Sequence, residues 1–154
     1  MRPVLRVTIP TNRTYTSKRN HGKPRGMDGQ NEIIGQNRAN RHYAAKMERQ
    51  NVDHCAEFIR EAMAAQGYEP MTEEDRQRCS VLITIHEPND RRDVPNVLGG
   101  VLKYACDALT ARHARGAGAI WDDSVRWMPA LRPTVRVDPE HVGLTITVIP
   151  LEDK

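Results

Sequence analysis

Two short acidic segments contain the residues of this chain that are best suited to chemistry. The first contains Glu87, Asp90 and Asp93, and the second is the pair Asp122 and Asp123. Carboxylates that lie close together repel one another unless a cation neutralises them, and Mg²⁺ is a hard cation that prefers oxygen ligands. A Mg²⁺ ion held in this way can orient water and neutralise the charge of a phosphodiester under attack. The two segments therefore predict a metal-dependent hydrolytic site.

The same residues also have a purely structural interpretation. Asp93 precedes an expected helix, where an aspartate can cap the first turn. Asp122 and Asp123 can form an ordinary turn. The residue types alone leave both interpretations open.

The elements around the acids decide whether they can meet. The β-branched run from Val81 to Ile85 predicts a central strand, and the first acidic segment follows it directly. A helix should then begin near Pro95, because the fixed φ of proline suits a first helical turn, and should end before Gly116. The pair Asp122–Asp123 comes after this helix. We expect the acids of both segments to converge at one edge of the sheet.

The remaining elements follow from periodicity and from turn residues. Alternating apolar residues predict a strand at 5–9 that Pro10 ends, and a three-to-four-residue apolar spacing predicts a helix from His42 to about Ala65 that Gly67 stops. A capped turn is expected at 72–75, before the central strand. After the second helix, we expect three further strands, at 125–128, 134–137 and 144–149. The prediction is a single compact α+β domain over residues 1–154, with a small mixed sheet of about four to five strands and two main helices.

Composition limits the classes of protein that fit. Only 5% of the residues are aromatic, so the core must be mostly aliphatic, and such a thin core favours help from a partner chain. The three cysteines form no CxxC pair and stand among apolar neighbours, which favours buried free thiols in a reducing cytoplasm. No apolar run approaches membrane-spanning length and no signal-peptide core is seen, so we expect a cytoplasmic protein without a membrane partner.

Positive charge is concentrated near the N-terminus. The first 42 residues contain nine Lys or Arg residues but only Asp28 and Glu32 as acids. Residues 11–41 have little apolar periodicity and predict a long basic loop. Such an arm suits a polyanionic partner, although a solvated charged tail is the simpler interpretation.

Taken together, the motifs resemble the RusA family of Holliday-junction resolvases. The resemblance lies in Arg-Arg-Asp93-Val-Pro-Asn96, then Lys103, then Asp107-Ala-Leu-Thr, and finally Gly-Ala-Ile-Trp-Asp122-Asp123-Ser-Val. A first strand ending in Pro10 and a closing Leu-Thr-Ile-Thr-Val strand are also similar to that family. The likeness covers most of the chain, and residues 11–51 match poorly.

The resemblance implies a homodimeric, Mg²⁺-dependent endonuclease that makes paired nicks in four-way DNA junctions, with Mn²⁺ as an alternative metal and no small-molecule cofactor. It implies Asp93, Asp123 and Lys103 as catalytic residues and Asp93, Asp123, Asp122 and Asp90 as the metal site. A two-fold dimer suits the approximate two-fold symmetry of a four-way junction. Trp121 and Trp127 are candidate anchors of a dimer surface.

The chain departs from the family pattern at two places. Pro95 stands where the family has a second aspartate, and Asp90 or Glu87 could supply the missing carboxylate. Lys103 lies about four residues, or one helical turn, farther from Asn96 than in the family. Lys103 could therefore stabilise phosphate charge or simply pair with Asp107 at i+4. A protein that binds branched DNA but no longer cuts it is the alternative function.

Basic residues of the arm and of the acidic segment are the expected DNA contacts. Lys and Arg contacts to phosphate give sequence-independent binding, which suits recognition of branch shape. The basic candidates are Arg13, Lys18, Arg19, Lys23, Arg25, Arg91 and Arg92, and Asn96 of the family motif is a further candidate. Arg38 and Arg41 lie farther along the arm. Tyr15 and His21 are candidate stacking groups. Arg112, His113 and Arg115 form a smaller basic cluster after the second helix.

Overall fold

The computed structural model describes residues 2–39 and 41–152, with the backbone alone at 36–39. A four-stranded mixed sheet forms its centre, made of β1 (Leu5–Pro10), β4 (Cys79–Glu87), β5 (Ala130–Val137) and β6 (Gly143–Pro150). The strand order is β1-β6-β4-β5, in which β4 and β5 are parallel and the other pairs are antiparallel. The predicted α+β class with a small mixed sheet is confirmed.

Three helices accompany this sheet within the described residues. They are α1 (Gln30–Ala39), α2 (Arg41–Gln66) and α3 (Val94–Leu109). The predicted bounds of α2 and the predicted start of α3 agree with the structure to within a residue, and α3 ends at Leu109, before Gly116 as expected. Gly67 ends α2 with a positive φ of 67°, and the N–H of Tyr68 donates to the carbonyl of Met63, which is the hydrogen bond of a Schellman motif.

The core lies between the helices and one face of the sheet. In each of β1, β4 and β6, every second residue is buried, as in Leu5, Ile83 and Ile146. The alternate residues lie on the other face, where Thr84 pairs in register with Thr145 and Thr134. This alternation is the period of two expected of strands with one covered face.

The prediction of a long basic loop at 11–41 is wrong. The segment contains a small hairpin, β2 (Arg13–Thr14) with β3 (Pro24–Arg25), and then helix α1. Asp28, which is fully buried, holds this segment in place by pairing with the guanidinium groups of Arg13 and Arg25. Hydrophobic periodicity missed this packing because polar groups make it. The predicted arm residue Arg38 has a side chain that lies outside the described residues.

The predicted strand at 125–128 is also wrong. The backbone there forms a turn in which the carbonyl of Ser124 accepts hydrogen bonds from the N–H groups of Trp127 and Met128. β5 begins only at Ala130 and is twice as long as the strand expected at 134–137. The smaller prediction of a capped turn is confirmed, because the side chain of Asp75 accepts from both the backbone N–H and the hydroxyl of Thr72.

The three cysteines are buried free thiols, as predicted. Burial raises the pKa of Cys55 and of Cys106 to about 12 and the pKa of Cys79 to about 11. These thiols therefore stay protonated at neutral pH and are poor nucleophiles. Across the described residues, no helix is both long enough and apolar enough to cross a membrane.

Candidate functional site

Asp93 lies immediately after the loop that leaves the C-terminal end of β4. It is the N-cap residue of α3 with extended backbone (φ −73°, ψ 139°), but its side chain makes no capping hydrogen bond. The carboxylate is exposed, as is that of Asp90 in the same loop. The simple capping interpretation of the Asp93 side chain therefore does not hold, and its carboxylate oxygens face solvent.

Glu87, the other acid of this segment, is already neutralised. It is 4% exposed, and both of its carboxylate oxygens accept from Arg92, at 2.6 and 2.8 Å. Arg92 also pairs with Glu32 of α1 and donates to the carbonyl of Met27 at 2.8 Å. Burial opposes the charge of Arg92, but its bonds to Glu87 and the charges of Glu87 and Glu32 outweigh that effect and raise its pKa. Glu87 is a poor substitute ligand, and the guanidinium of Arg92 is committed to the fold.

Asp122 and Asp123 lie at the other end of α3. The charge of Asp123 acts on Lys103 and on Cys106, both in the second half of that helix. Lys103 donates to Asp107 at 3.2 Å, so the i+4 pair is present. This hydrogen bond, together with the charges of Asp107 and Asp123, raises the pKa of Lys103. Asp123 thus lies within electrostatic range of Lys103, whose ion pair is with Asp107.

The predicted convergence of both acidic segments at one sheet edge is wrong within a single chain. β4 and β5 are parallel, so the helix that joins them must run back along the sheet. The acids before α3 therefore lie at the C-terminal ends of β4 and β5, and the acids after α3 lie at the N-terminal ends of these strands. From Asp93 to Cys106 the helix rises about 20 Å at 1.5 Å per residue. Within residues 2–39 and 41–152, no group of three His, Cys, Asp or Glu side chains has the geometry to hold a metal ion.

The β2–β3 hairpin lies beside the Asp90–Asp93 loop. The side-chain amide of Asn89 donates to the hydroxyl of Tyr15 at 3.2 Å, which links the loop to the hairpin. The cationic residues that the hairpin and the loop expose to solvent are Lys18, Arg19, Lys23 and Arg91. Exposed cations and two exposed carboxylates therefore share one edge of the molecule.

Arg13 and Arg25, two of the predicted DNA contacts, are engaged in ion pairs within the fold. Their side chains are 23% and 28% exposed, and both pair with the buried carboxylate of Asp28. Asn51, which is fully buried, donates to the same carboxylate at 3.0 Å. Two guanidinium groups on one carboxylate leave only one net positive charge, so these arginines are primarily structural. Sequence reasoning missed Asp28 because a single acid in a basic segment gives no periodic signal.

Asn96 joins α3 to α1. Its side-chain oxygen accepts from the backbone N–H of Asn31 at 2.6 Å, in the first turn of α1. The neighbouring Gly100 lets the backbone of Gly29 cross α3 closely, because a Cβ at Gly100 would lie 2.5 Å from the carbonyl carbon of Gly29. The helical turn that contains Gly100 therefore has a packing role.

A cavity of about 470 Å³ opens between α1, α2 and α3 beside Lys103. Its polar lining includes Glu48, Arg49, Asp107 and His113, and the apolar part includes Ile33, Ile34 and Val52. Arg115, also in the lining, pairs with Asp53 at 2.6 Å. Of the smaller basic cluster predicted after α3, Arg115 is thus neutralised, whereas Arg112 lies over the ring of Trp121.

The resemblance to the junction resolvases rests on the motif residues quoted above and on their order along the chain. No protein-family model, no curated protein and no solved structure matches this chain.

Proposed function

We propose that this protein is a Mg²⁺-dependent endonuclease that binds four-way or otherwise branched DNA as a homodimer and cuts it by paired nicks. One observation carries the proposal: the uncapped, exposed carboxylate of Asp93 shares an edge of the molecule with the exposed cations of the β2–β3 hairpin and Arg91. Cations hold a phosphate backbone close to this edge. A carboxylate with free oxygens is the ligand that a hard divalent ion requires there.

The residues present fit a magnesium site only in part. Asp93 and Asp90 are exposed near the start of α3, and the exposed Asp123 and the half-buried Asp122 follow its end. Bound Mg²⁺ would supply charge neutralisation and an oriented water. Lys103, whose ammonium stays charged at neutral pH beside Asp107, would stabilise charge on the phosphate or on the leaving oxygen.

A dimer resolves the separation of the two acids. If a two-fold axis sets the start of α3 in one subunit against the end of α3 in the other, Asp93 of one chain meets Asp123 of the partner subunit. An isologous interface repeats this contact twice, so the dimer has two equivalent sites. Two sites related by a two-fold axis suit paired nicks in a four-way junction.

Mixed dimers test this arrangement directly. Asp93→Asn and Asp123→Asn chains with different affinity tags are co-expressed, and the heterodimer is assayed on labelled four-way junctions in Mg²⁺. A site shared between subunits leaves one site with both acids, so the heterodimer should nick one strand, whereas each mutant homodimer should be inactive. If the heterodimer is as inactive as the homodimers while wild type cuts, the acids act within one chain and the shared site is wrong.

Junction binding in EDTA serves as the control, because neither substitution removes a cation. If wild-type protein neither cuts nor selectively binds junctions, the nuclease proposal itself fails. The acids would then be only turn and helix-end residues of an unrelated α+β domain.

A binding protein without catalytic activity is the second candidate, and Pro95 favours it. Pro95 occupies an exposed position in the first turn of α3, where the family has a carboxylate. Tight, junction-selective binding in Mg²⁺ without nicks would identify this second function. The change Pro95→Asp introduces an acid at a helix start, where negative charge is tolerated, and a gain of cleavage would show that the natural chain is a weakened enzyme.

A further inference from the structure

Trp121 and Trp127 are the two tryptophans of the chain, and arginines surround both. The guanidinium of Arg76 lies 4.8 Å from the ring centre of Trp127 and 5.7 Å from that of Trp121. Arg126 lies 5.2 Å from Trp127, and Arg112 lies 6.0 Å from Trp121. These five residues are called the Trp–Arg cluster below.

The cations of the Trp–Arg cluster are not neutralised. Within residues 2–39 and 41–152, none of its three arginines forms a salt bridge, although Asp122 and Asp123 are close by in sequence. Five other arginines are paired with carboxylates, namely Arg2, Arg13, Arg25, Arg92 and Arg115. The cluster therefore combines free positive charge with aromatic surface.

The two rings differ in how they are held. Trp121 packs against the hydrophobic core. Trp127 lies outside the hydrophobic core, in the turn before β5. The backbone of this turn is fixed, because the carbonyl of Trp127 accepts from the N–H of Cys79 at 2.9 Å and that of Arg126 accepts from Arg78 at 3.2 Å. Trp127 is thus an aromatic side chain near the surface on a rigid backbone, while the side chain of Arg126 is exposed.

We propose that the Trp–Arg cluster binds unpaired nucleotides of a DNA strand, with a base stacked on Trp127 and phosphates held by Arg126 and Arg112. This inference rests on the proposed DNA-directed function and adds the feature of the substrate that is recognised. Aromatic rings with flanking cations are the usual means of holding single strands, because every base has a stacking face and every nucleotide a phosphate.

Binding is favourable because the Trp127 ring exchanges its contact with the Arg126 guanidinium for a stacked base. A base stacked on an aromatic ring stabilises a complex more than an exposed cation–π contact stabilises the free protein. The base therefore takes the place of the Arg126 guanidinium on the ring, and the released guanidinium reaches the neighbouring phosphate. Paired bases inside a duplex hide their faces, so the cluster selects unpaired nucleotides such as those at a branch point.

Intrinsic fluorescence tests the inference, since both tryptophans belong to the cluster. Wild-type protein is titrated in EDTA with oligo(dT), with oligo(rU), and with a blunt duplex, and a labelled oligo(dT) gives affinities by anisotropy. We expect oligo(dT) to quench the tryptophans and to bind more tightly than the duplex, with affinity that falls as salt rises. Trp127→Ala should weaken oligo(dT) binding about tenfold or more.

Three further variants keep the result interpretable. Trp127→Phe retains a stacking ring and should bind within a few-fold of wild type, and Arg126→Ala should weaken binding several-fold without removing a ring. The matched control is Arg132→Ala, an exposed arginine on β5 outside the cluster, which should bind as wild type does. Circular dichroism verifies that each variant is folded.

Several outcomes would overturn the inference. Unchanged fluorescence with oligo(dT), equal losses for Arg126→Ala and Arg132→Ala, or tighter binding of oligo(rU) than of oligo(dT) each contradicts it. A fluorescence change that follows protein concentration rather than oligo(dT) would identify the cluster as a subunit interface instead. Since EDTA prevents cleavage, oligo(dT) binding can succeed where the nuclease proposal fails, and the nuclease proposal can succeed where this inference fails.

Discussion

At the scale of single residues, two adjacent arginines illustrate how environment determines role. Arg91 is exposed, whereas the side chain of Arg92 is 21% exposed and bonds to Glu87, Glu32 and the carbonyl of Met27. Sequence reasoning treated both as phosphate contacts. Only Arg91 has a guanidinium that is free for that purpose, because the charge of Arg92 already neutralises a buried acid.

Replacing each arginine with methionine should separate the two roles. Arg92→Met leaves the buried carboxylate of Glu87 without its partner, so we expect a loss of about 3 kcal/mol in the free energy of unfolding. Arg91→Met should change that free energy by less than about 0.5 kcal/mol but should weaken junction binding. Urea denaturation and anisotropy measure the two quantities, and equal stabilities of the two variants would refute the assignment.

At the scale of secondary structure, α1 docks on α3 through glycine. Gly29 and Gly100 let the two backbones approach, because a Cβ at Gly100 would lie 2.5–2.8 Å from main-chain atoms of residues 29 and 30. Asn96 fixes the same contact through its bond to the N–H of Asn31. The segment expected to be a loop is therefore held to the domain by close backbone packing and by polar groups.

Alanine substitutions at two helical glycines should have opposite effects. Gly100→Ala forces the backbone of α1 away and should lower the melting temperature, even though alanine is the better helix former. Gly35 lies in α1, where no atom of the described residues, apart from its chain neighbours and the backbone of its own helix, comes within 4 Å of its Cβ position. Gly35→Ala should therefore raise the free energy of unfolding by about 0.5–1 kcal/mol. A stabilising Gly100→Ala would show that α1 does not pack on α3 as described.

At the scale of the whole molecule, charge is sorted by burial. Acids in the interior neutralise Arg13, Arg25 and Arg92, while Lys18, Arg19, Lys23 and Arg91 remain exposed at one edge. Long-range attraction to a polyanion depends on the second set. The formal net charge of +3 therefore understates the positive potential of this edge.

The salt dependence of DNA binding should reveal which cations contact phosphate. Removing charge at Lys18, Arg19 or Lys23 by substitution with glutamine should lower the slope of log affinity against log salt by about 0.9 for each lost contact with duplex arms. Arg13 is paired with Asp28, so its substitution with glutamine should mainly lower the free energy of unfolding. If the slopes of the three exposed variants equal that of wild type, the hairpin does not contact DNA.

The sequence by itself determined the framework of the fold. Period-two alternation identified β1, β4 and β6, and the three-to-four-residue spacing identified α2 and α3, because the burial of apolar side chains drives both patterns. It also selected Asp93, Lys103 and Asp123 as candidate site residues through their motif. Hydrophobic patterns could not identify α1 or the β2–β3 hairpin, since these are held by Asp28, Asn51 and close glycine contacts.

Tertiary structure alone decided which charges are free and which acids can meet. Arg91 and Arg92 are identical in type and adjacent in sequence, yet only the fold brings Glu87 and Glu32 to one of them. The order of Asp93, α3 and Asp123 was evident from the sequence, but their separation follows from the parallel pairing of β4 and β5. A helix that connects two parallel strands must run back along the sheet. The residues before and after such a helix therefore lie at opposite ends of the strands.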